Sequence, residues 1–212
     1  MKGMNYLGLI LLALSAGCHS PANDQSQRDS TYNKQERAVT EKTEKKVDSS
    51  KLVIGGKQAG KIHLGQYMEE VSHILGRPDD GDAAMGSALG IWYQGENKQL
   101  KLYPTVIFSS YRDSNMVIKA VKQVSVTAPG FQTAEGIHTG LKLSELLRAY
   151  PSLKKTETYV NVQRDSVFVY DSVADGIAFD LQRDTCTAIT IHVKNRPANA
   201  VYLPVHPEWK KL

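Results

Sequence analysis

The stretch Ile62-His63-Leu64-Gly65-Gln66-Tyr67-Met68-Glu69-Glu70-Val71-Ser72-His73-Ile74-Leu75-Gly76-Arg77-Pro78 decides the reading of the fold, because its pattern returns as Ile137-His138-Thr139-Gly140-Leu141-Lys142-Leu143-Ser144-Glu145-Leu146-Leu147-Arg148-Ala149-Tyr150-Pro151. Aligned on the first four residues, Met68 falls on Leu143, Glu70 on Glu145, Val71 on Leu146 and Leu75 on Tyr150. Self-similarity of this kind sets architecture before any local signal. In both copies a glycine opens the segment and apolar residues recur at helical spacing. A breaker closes each, Gly76-Arg77-Pro78 in the first and Pro151 in the second. The spacing predicts short amphipathic helices over 66–75 and 141–150; the plain alternative is a chance likeness of two short helices.

Beyond each helix the pattern changes to strands. Residues 90–94, 100–103, 106–111 and 116–126 read as extended, with a hairpin turn over 112–115. Residues 157–162, 167–170, 176–180 and 188–193 read likewise, with a turn over 181–184. The expected fold class is therefore α+β, two tandem helix-plus-antiparallel-sheet repeats over 52–128 and 129–195, behind a disordered N-terminal tether. Halves of about 75 residues are marginal alone, so they should pack together or share a sheet. The stretch 196–212, with three prolines, reads as an extended C-terminal strap.

At the N-terminus, Lys2 and the apolar run Leu7-Gly8-Leu9-Ile10-Leu11-Leu12-Ala13-Leu14 read as a signal peptide over 1–17. The run is too short to cross a bilayer, which takes about 20 apolar residues. Leu14-Ser15-Ala16-Gly17-Cys18 resembles a bacterial lipobox, with the leucine one position further from the cysteine than usual. The resemblance implies that Cys18 is fatty-acylated, by palmitate for example, and becomes the new N-terminus. In enterobacteria an Asp after the cysteine marks inner-membrane retention. His19 stands there, so the expected location is the outer membrane, facing the periplasm. Residues 18–51 hold the acylated cysteine and a polar linker with almost no large apolar side chains, too few to offset the entropy of ordering.

The 212 residues are 41% hydrophobic and 23% charged, the range of an ordinary globular chain and not of a membrane-spanning bundle. A net charge of +4, scattered along the chain, is too weak for a nucleic-acid footprint. With Cys18 acylated, Cys186 has no intramolecular partner, and core packing is its expected fate.

The element Gly65, Val71, Leu75, Gly76 and Pro78, followed by Trp92-Tyr93 and a hairpin, resembles the SmpA/OmlA small outer-membrane lipoproteins. Two such units in tandem are similar to the beta-lactamase inhibitor protein fold. The second half departs from the pattern, offering Tyr150-Pro151 in place of Leu-Gly-x-Pro. The first resemblance implies a role in outer-membrane protein assembly, the second a concave sheet that binds another protein.

Motifs for chemistry are weak. Gly55-Gly56-Lys57-Gln58-Ala59-Gly60-Lys61 approaches a phosphate-binding loop but ends in Ile62 where a hydroxyl is required, and a β-hairpin turn is the plain reading. No nucleotide is therefore expected. The histidines His19, His63, His73, His138, His192 and His206 lack zinc-site spacing, Glu69 and His73 sharing only a helical face. Asp79-Asp80-Gly81-Asp82 lacks the ligand pattern of a calcium loop and reads as a solvated loop. No Gly-x-Ser-x-Gly elbow is present. Neither metal nor cofactor is expected. Trp92, Tyr103, Tyr111, Tyr159, Phe168 and Tyr170 fall on expected strands and are the candidate partner-binding residues. The leading expectation is a non-enzymatic, lipid-anchored envelope protein that binds another envelope protein as assembly factor, scaffold or inhibitor. The alternatives are an envelope hydrolase acting on glycan or peptide, and a ligand-binding lipoprotein.

Overall fold

A computed structural model describes residues 48–112, 114–198 and 209–212. The expected signal peptide, Cys18 and nearly all of the expected linker lie outside them. The apolar Leu52-Val53-Ile54 forms β1 (Leu52–Ile54), which turns at Gly55-Gly56 into β2 (Gln58–Ala59) and then β3 (Ile62–His63). This is the hairpin reading of the glycine-rich loop. The Gly56 amide donates to Gly176 O, Lys57 to Ile54 O and Gly60 to Leu52 O, so the amides a phosphate would need are already engaged. The turn packs closely, since a Cβ on Gly55 would lie 2.7 Å from Asp175 O.

Helix α1 (Met68–Leu75) and helix α2 (Leu143–Ala149) stand where periodicity predicts them. Each is too short to persist alone in water. Their stability comes from the stripe they bury, Val71 in α1 and Leu146 in α2, both fully enclosed, each worth roughly 1.5–3 kcal/mol. Gly76 ends α1 with φ 76°, its amide returning to Ser72 O, and Glu145 accepts from the Lys142 amide at the start of α2.

After α1 run β4 (Asp80–Ala84), β5 (Ser87–Trp92), β6 (Thr105–Tyr111) and β7 (Lys119–Val126). The short β8 (Gln132–Thr133) follows and pairs in parallel with β1. After α2 run β9 (Lys154–Val160), β10 (Ser166–Ser172), β11 (Ile177–Gln182) and β12 (Thr185–His192), and β13 (Lys210–Lys211) closes the chain. The strands form a small sheet, β3-β2-β1-β8, and a nine-stranded antiparallel sheet, β13-β9-β10-β11-β12-β7-β6-β5-β4.

The expected α+β fold of two tandem helix-plus-sheet repeats is thereby corrected. Among the described residues strand accounts for 44% and helix for 14%, with only two α-helices, so the fold is mostly β. The physical reason is the β7–β12 seam, where Val126 pairs with Ile189 and Gln123 with His192. The two halves thus share a sheet, one of the two outcomes expected, and what fails is the division into helix-plus-sheet repeats.

Three local readings also change. Residues 100–103 are not a strand: a 3₁₀ turn (Lys98–Leu100) is followed by Lys101 and Tyr103 with φ of 48° and 47°, a conformation that cannot continue a ladder. Asp80 to Asp82 lie in the edge strand β4 and not in a loop. Of the C-terminal strap, residues 199–208 are outside the described set, and its end is β13, an edge strand on β9.

The main core lies between the large sheet and the layer made by the helices and the small sheet. Ile107, Val121, Val124, Phe179, Ile189 and Ile191 meet Val71, Leu146, Val53 and Phe131 there. The opposite face carries two smaller clusters, Leu89-Val106-Phe108 and Val169-Ala178-Ala198.

Candidate functional site

Alternation along a strand sends successive side chains to opposite faces. In β7 and β12 it turns Val124, Val126, Ile189 and Ile191 toward the helices and Gln123, Ser125, Thr190 and His192 away from them. All four polar residues are buried, a combination that demands hydrogen-bond partners. Thr190 Oγ1 donates to Ser125 Oγ at 3.0 Å across the seam.

The strongest feature of this face is a buried pair two strands apart. His192 Nε2 lies 2.9 Å from Asp171 Oδ1, and the ring's Nδ1 lies 3.1 Å from Val193 O. The imidazole is thereby held between a backbone carbonyl and a carboxylate. The second Asp171 oxygen accepts from the Ala198 amide at 2.8 Å. Strands at either side of a third stand roughly 10 Å apart. The reach succeeds because Ala178, fully buried between them, pairs with Asp171 and presents only a methyl. With both ring nitrogens and both carboxylate oxygens engaged, the pair fixes the chain where it leaves β12 and offers no free base to a nucleophile or metal.

Beside the pair a cavity of about 530 Å³ opens between β5, β6, β7 and the segment after β12. Ser87, Phe108, Ser110, Tyr111, Lys122, Gln123, His192, Val193, Arg196 and Pro197 line it. Two aromatic rings, two serine hydroxyls and two cations with no carboxylate make a wall suited to an anionic group carried on an apolar body. The volume lies within the ordinary range of ligand pockets, about 300–1,000 Å³.

Elsewhere the chemistry is quiet. Cys186 sits in the main core, 3.5 Å from Ala188 O, and burial pushes its thiol up to about 12, far from the thiolate a nucleophile needs. Ser152, Ser172 and Asp175 bond one another at the β10–β11 turn, where the Asp175 and Gly176 amides also return to Ser172 O. The geometry is that of a turn brace. Asp180 is buried on the helix-free face, and desolvation, followed by the nearby negative charge of Glu157, raises its carboxyl to about 7. Among the described residues no three of His, Cys, Asp and Glu converge as metal ligands.

The structure scatters the six aromatic candidates. Trp92 is a core residue, its indole Nε1 donating to Gly76 O at 3.2 Å. Tyr103 is 47% exposed, but in the β5–β6 connection and not on a strand. Tyr170 packs at the margin of the main core. Phe168 carries the Lys155 ammonium 5.0 Å above its ring, and Tyr159 meets Trp209 with ring centres 6.1 Å apart. Only Tyr111 reaches the cavity. Lys122 and Arg196, which give the cavity its charge, and the Asp171–His192 pair were missed in the sequence. The available signal was Gln123 and Ser125 alternating with Val124 and Val126 at the end of β7. In comparisons with protein families, curated proteins and solved structures, nothing matches the chain.

Proposed function

We propose that this protein is a non-enzymatic, lipid-anchored envelope protein whose helix-free sheet face receives another envelope protein. The observation that carries the reading is the cavity, where Phe108 and Tyr111 stand with Lys122 and Arg196 around an opening large enough for one or two side chains. Interfaces gain most of their affinity where an aromatic or arginine anchor meets a pocket. Here the pocket suits an acidic or C-terminal carboxylate group of the partner. The edges of the sheet are less suited to strand addition: β4 carries Asp80 and Asp82, and β13 is two lysines long. The lipobox-like Leu14-Ser15-Ala16-Gly17-Cys18 supports the anchored location.

The test is capture of the partner by the intact protein from gently solubilised membranes, alongside Lys122→Glu combined with Arg196→Glu. Loss of the partner from a variant with unchanged circular dichroism supports the reading. Equal recovery by both proteins, or no partner with either, counts against it. The cavity's volume favours one second reading, a small anionic ligand held by the same two cations. Native mass spectrometry of the protein purified from membranes would show that ligand as added mass.

A further inference from the structure

At the end of the sheet where β4 turns into β5 and β6 into β7, two hairpin tips stand side by side. The first is Met85-Gly86, with φ of 48° and 81°, a two-residue turn of the geometry that ordinarily takes Asn-Gly. Gly86 rests on Tyr111, where an added Cβ would lie 2.8 Å from the ring, so the first tip touches the base of the second. The second tip, closed by the Arg112 amide donating to Ile118 O, carries Met116 at φ 52°. Large apolar residues are unfavourable in this left-handed conformation. Yet Met85 is 86% exposed, Met116 63% and Val117 76%. Neither core packing nor turn chemistry accounts for apolar side chains placed there, and exposed apolar side chains gathered at one end of a sheet mark an interaction site.

Cations and tyrosines ring the tips. Arg112 donates from Nη1 to Tyr67 Oη at 2.6 Å with its guanidinium 5.6 Å from that ring, and Lys119 Nζ lies 5.3 Å from the Tyr111 ring. Lys122 and Arg196 follow in the adjoining cavity. Aliphatic side chains at the extremity, with tyrosine and basic groups one layer behind, match the depth profile of a bilayer from acyl chains to headgroups. In the sequence of the second tip Arg112 and Lys119 outnumber the one carboxylate, Asp113, and with Lys122 and Arg196 behind them the charge is complementary to anionic lipid; a projecting tip suits a deformable phase.

We propose that the two hairpin tips are a membrane-contact surface, placing Met85, Met116 and Val117 among the acyl chains of an anionic bilayer while Arg112 and Lys119 meet lipid phosphates. The inference rests neither on acylation of Cys18 nor on the cavity's occupant. In the full chain reconstituted into vesicles of phosphatidylcholine and phosphatidylglycerol with brominated acyl chains, Met116→Trp fluorescence is expected to be quenched and blue-shifted. Leu102→Trp, in the β5–β6 connection at the opposite end of the sheet, is expected to be unaffected, with the parent chain providing the Trp92 and Trp209 background. Lys119→Gln should weaken the contact about fivefold on anionic vesicles. Quenching of Met116→Trp no greater than that of Leu102→Trp overturns the proposal. So does efficient disulfide formation between copies carrying Met116→Cys without quenching, which would assign the tips to a second copy of the chain. Flotation of the Met116→Ser, Val117→Ser double variant with neutral vesicles reads the N-terminal anchor separately, so loss of anchor and loss of tip contact are distinguishable.

Discussion

Replacing Asp180 by asparagine should stabilise the protein strongly in mildly alkaline solution and much less in mild acid. The carboxyl holds its proton to about pH 7 in the folded protein, because burial first and the Glu157 charge second disfavour ionisation; unfolded, it would ionise near 3.8. Between those values the native state binds one proton more than the unfolded state, so stability falls as pH rises through the window. The effect is negligible below the unfolded value and complete above the folded one. At about 1.4 kcal/mol per pH unit, the full window is worth at most roughly 4 kcal/mol. Asp48, Asp79 and Asp80 have lowered values, chiefly through bonds from backbone amides of Ser50, Tyr93 and Gly81, and act with opposite sign below about pH 4. Urea unfolding at pH 5 and pH 8, followed by circular dichroism, therefore isolates Asp180. The Asp180→Asn midpoint should exceed that of the parent chain at pH 8 by far more than at pH 5. An equal gain at both pH values, or a parent chain no less stable at pH 8, would refute the reasoning.

Three further outcomes are expected. Asp171→Ala leaves the His192 ring and the Ala198 amide without their carboxylate in a buried site and should destabilise by about 3–5 kcal/mol in urea unfolding, with hydrogen-exchange protection lost at Ala198; Ala178→Leu should act in the same direction by obstructing the pair. Gly90→Ala places a Cβ 2.6 Å from Trp92 Cη2 and should cost about 1–3 kcal/mol, with a shift in Trp92 emission, whereas Gly95→Ala, with no atom within 4 Å of its Cβ, reports the strain of its positive φ alone. Cys186 should resist a thiol reagent in the folded protein and react only as it unfolds; labelling of the native state would contradict its place in the core.

The helices were legible because a stripe at 3.6-residue spacing is a local signal, and Val71 and Leu146 sit at its centre. A shared sheet was among the expected outcomes, but which strands form the seam was not legible, since nothing within β7 or β12 names its partner across the sheet. Aromatic content placed Tyr103 on a strand, but the left-handed backbone at Lys101 and Tyr103 overrides that propensity. Bulges hid the faces. The register shifts between Phe108 and Ser109 and between Asp180 and Leu181, so simple alternation along these strands mispredicts which side a residue occupies. The cavity draws Lys122 from β7 and Arg196 from beyond β12, residues brought together only by the seam. Asp171, at the end of the apolar run Val167-Phe168-Val169-Tyr170, carries no local signal because its partner is 21 residues away.

The pairing of β7 with β12 also bears on how the chain reaches its native state. Thr190 and Ser125, which meet at the seam, are separated by 65 residues. Strand pairs of such separation form late, after shorter hairpins, because a long loop must close first. Until β12 arrives, β7 is an uncovered edge whose backbone groups and apolar Val121, Val124 and Val126 can recruit another nascent strand. A chain emerging from one end therefore passes through a vulnerable interval lasting until its final hairpin closes, and anything that delays that closure should turn yield into aggregate.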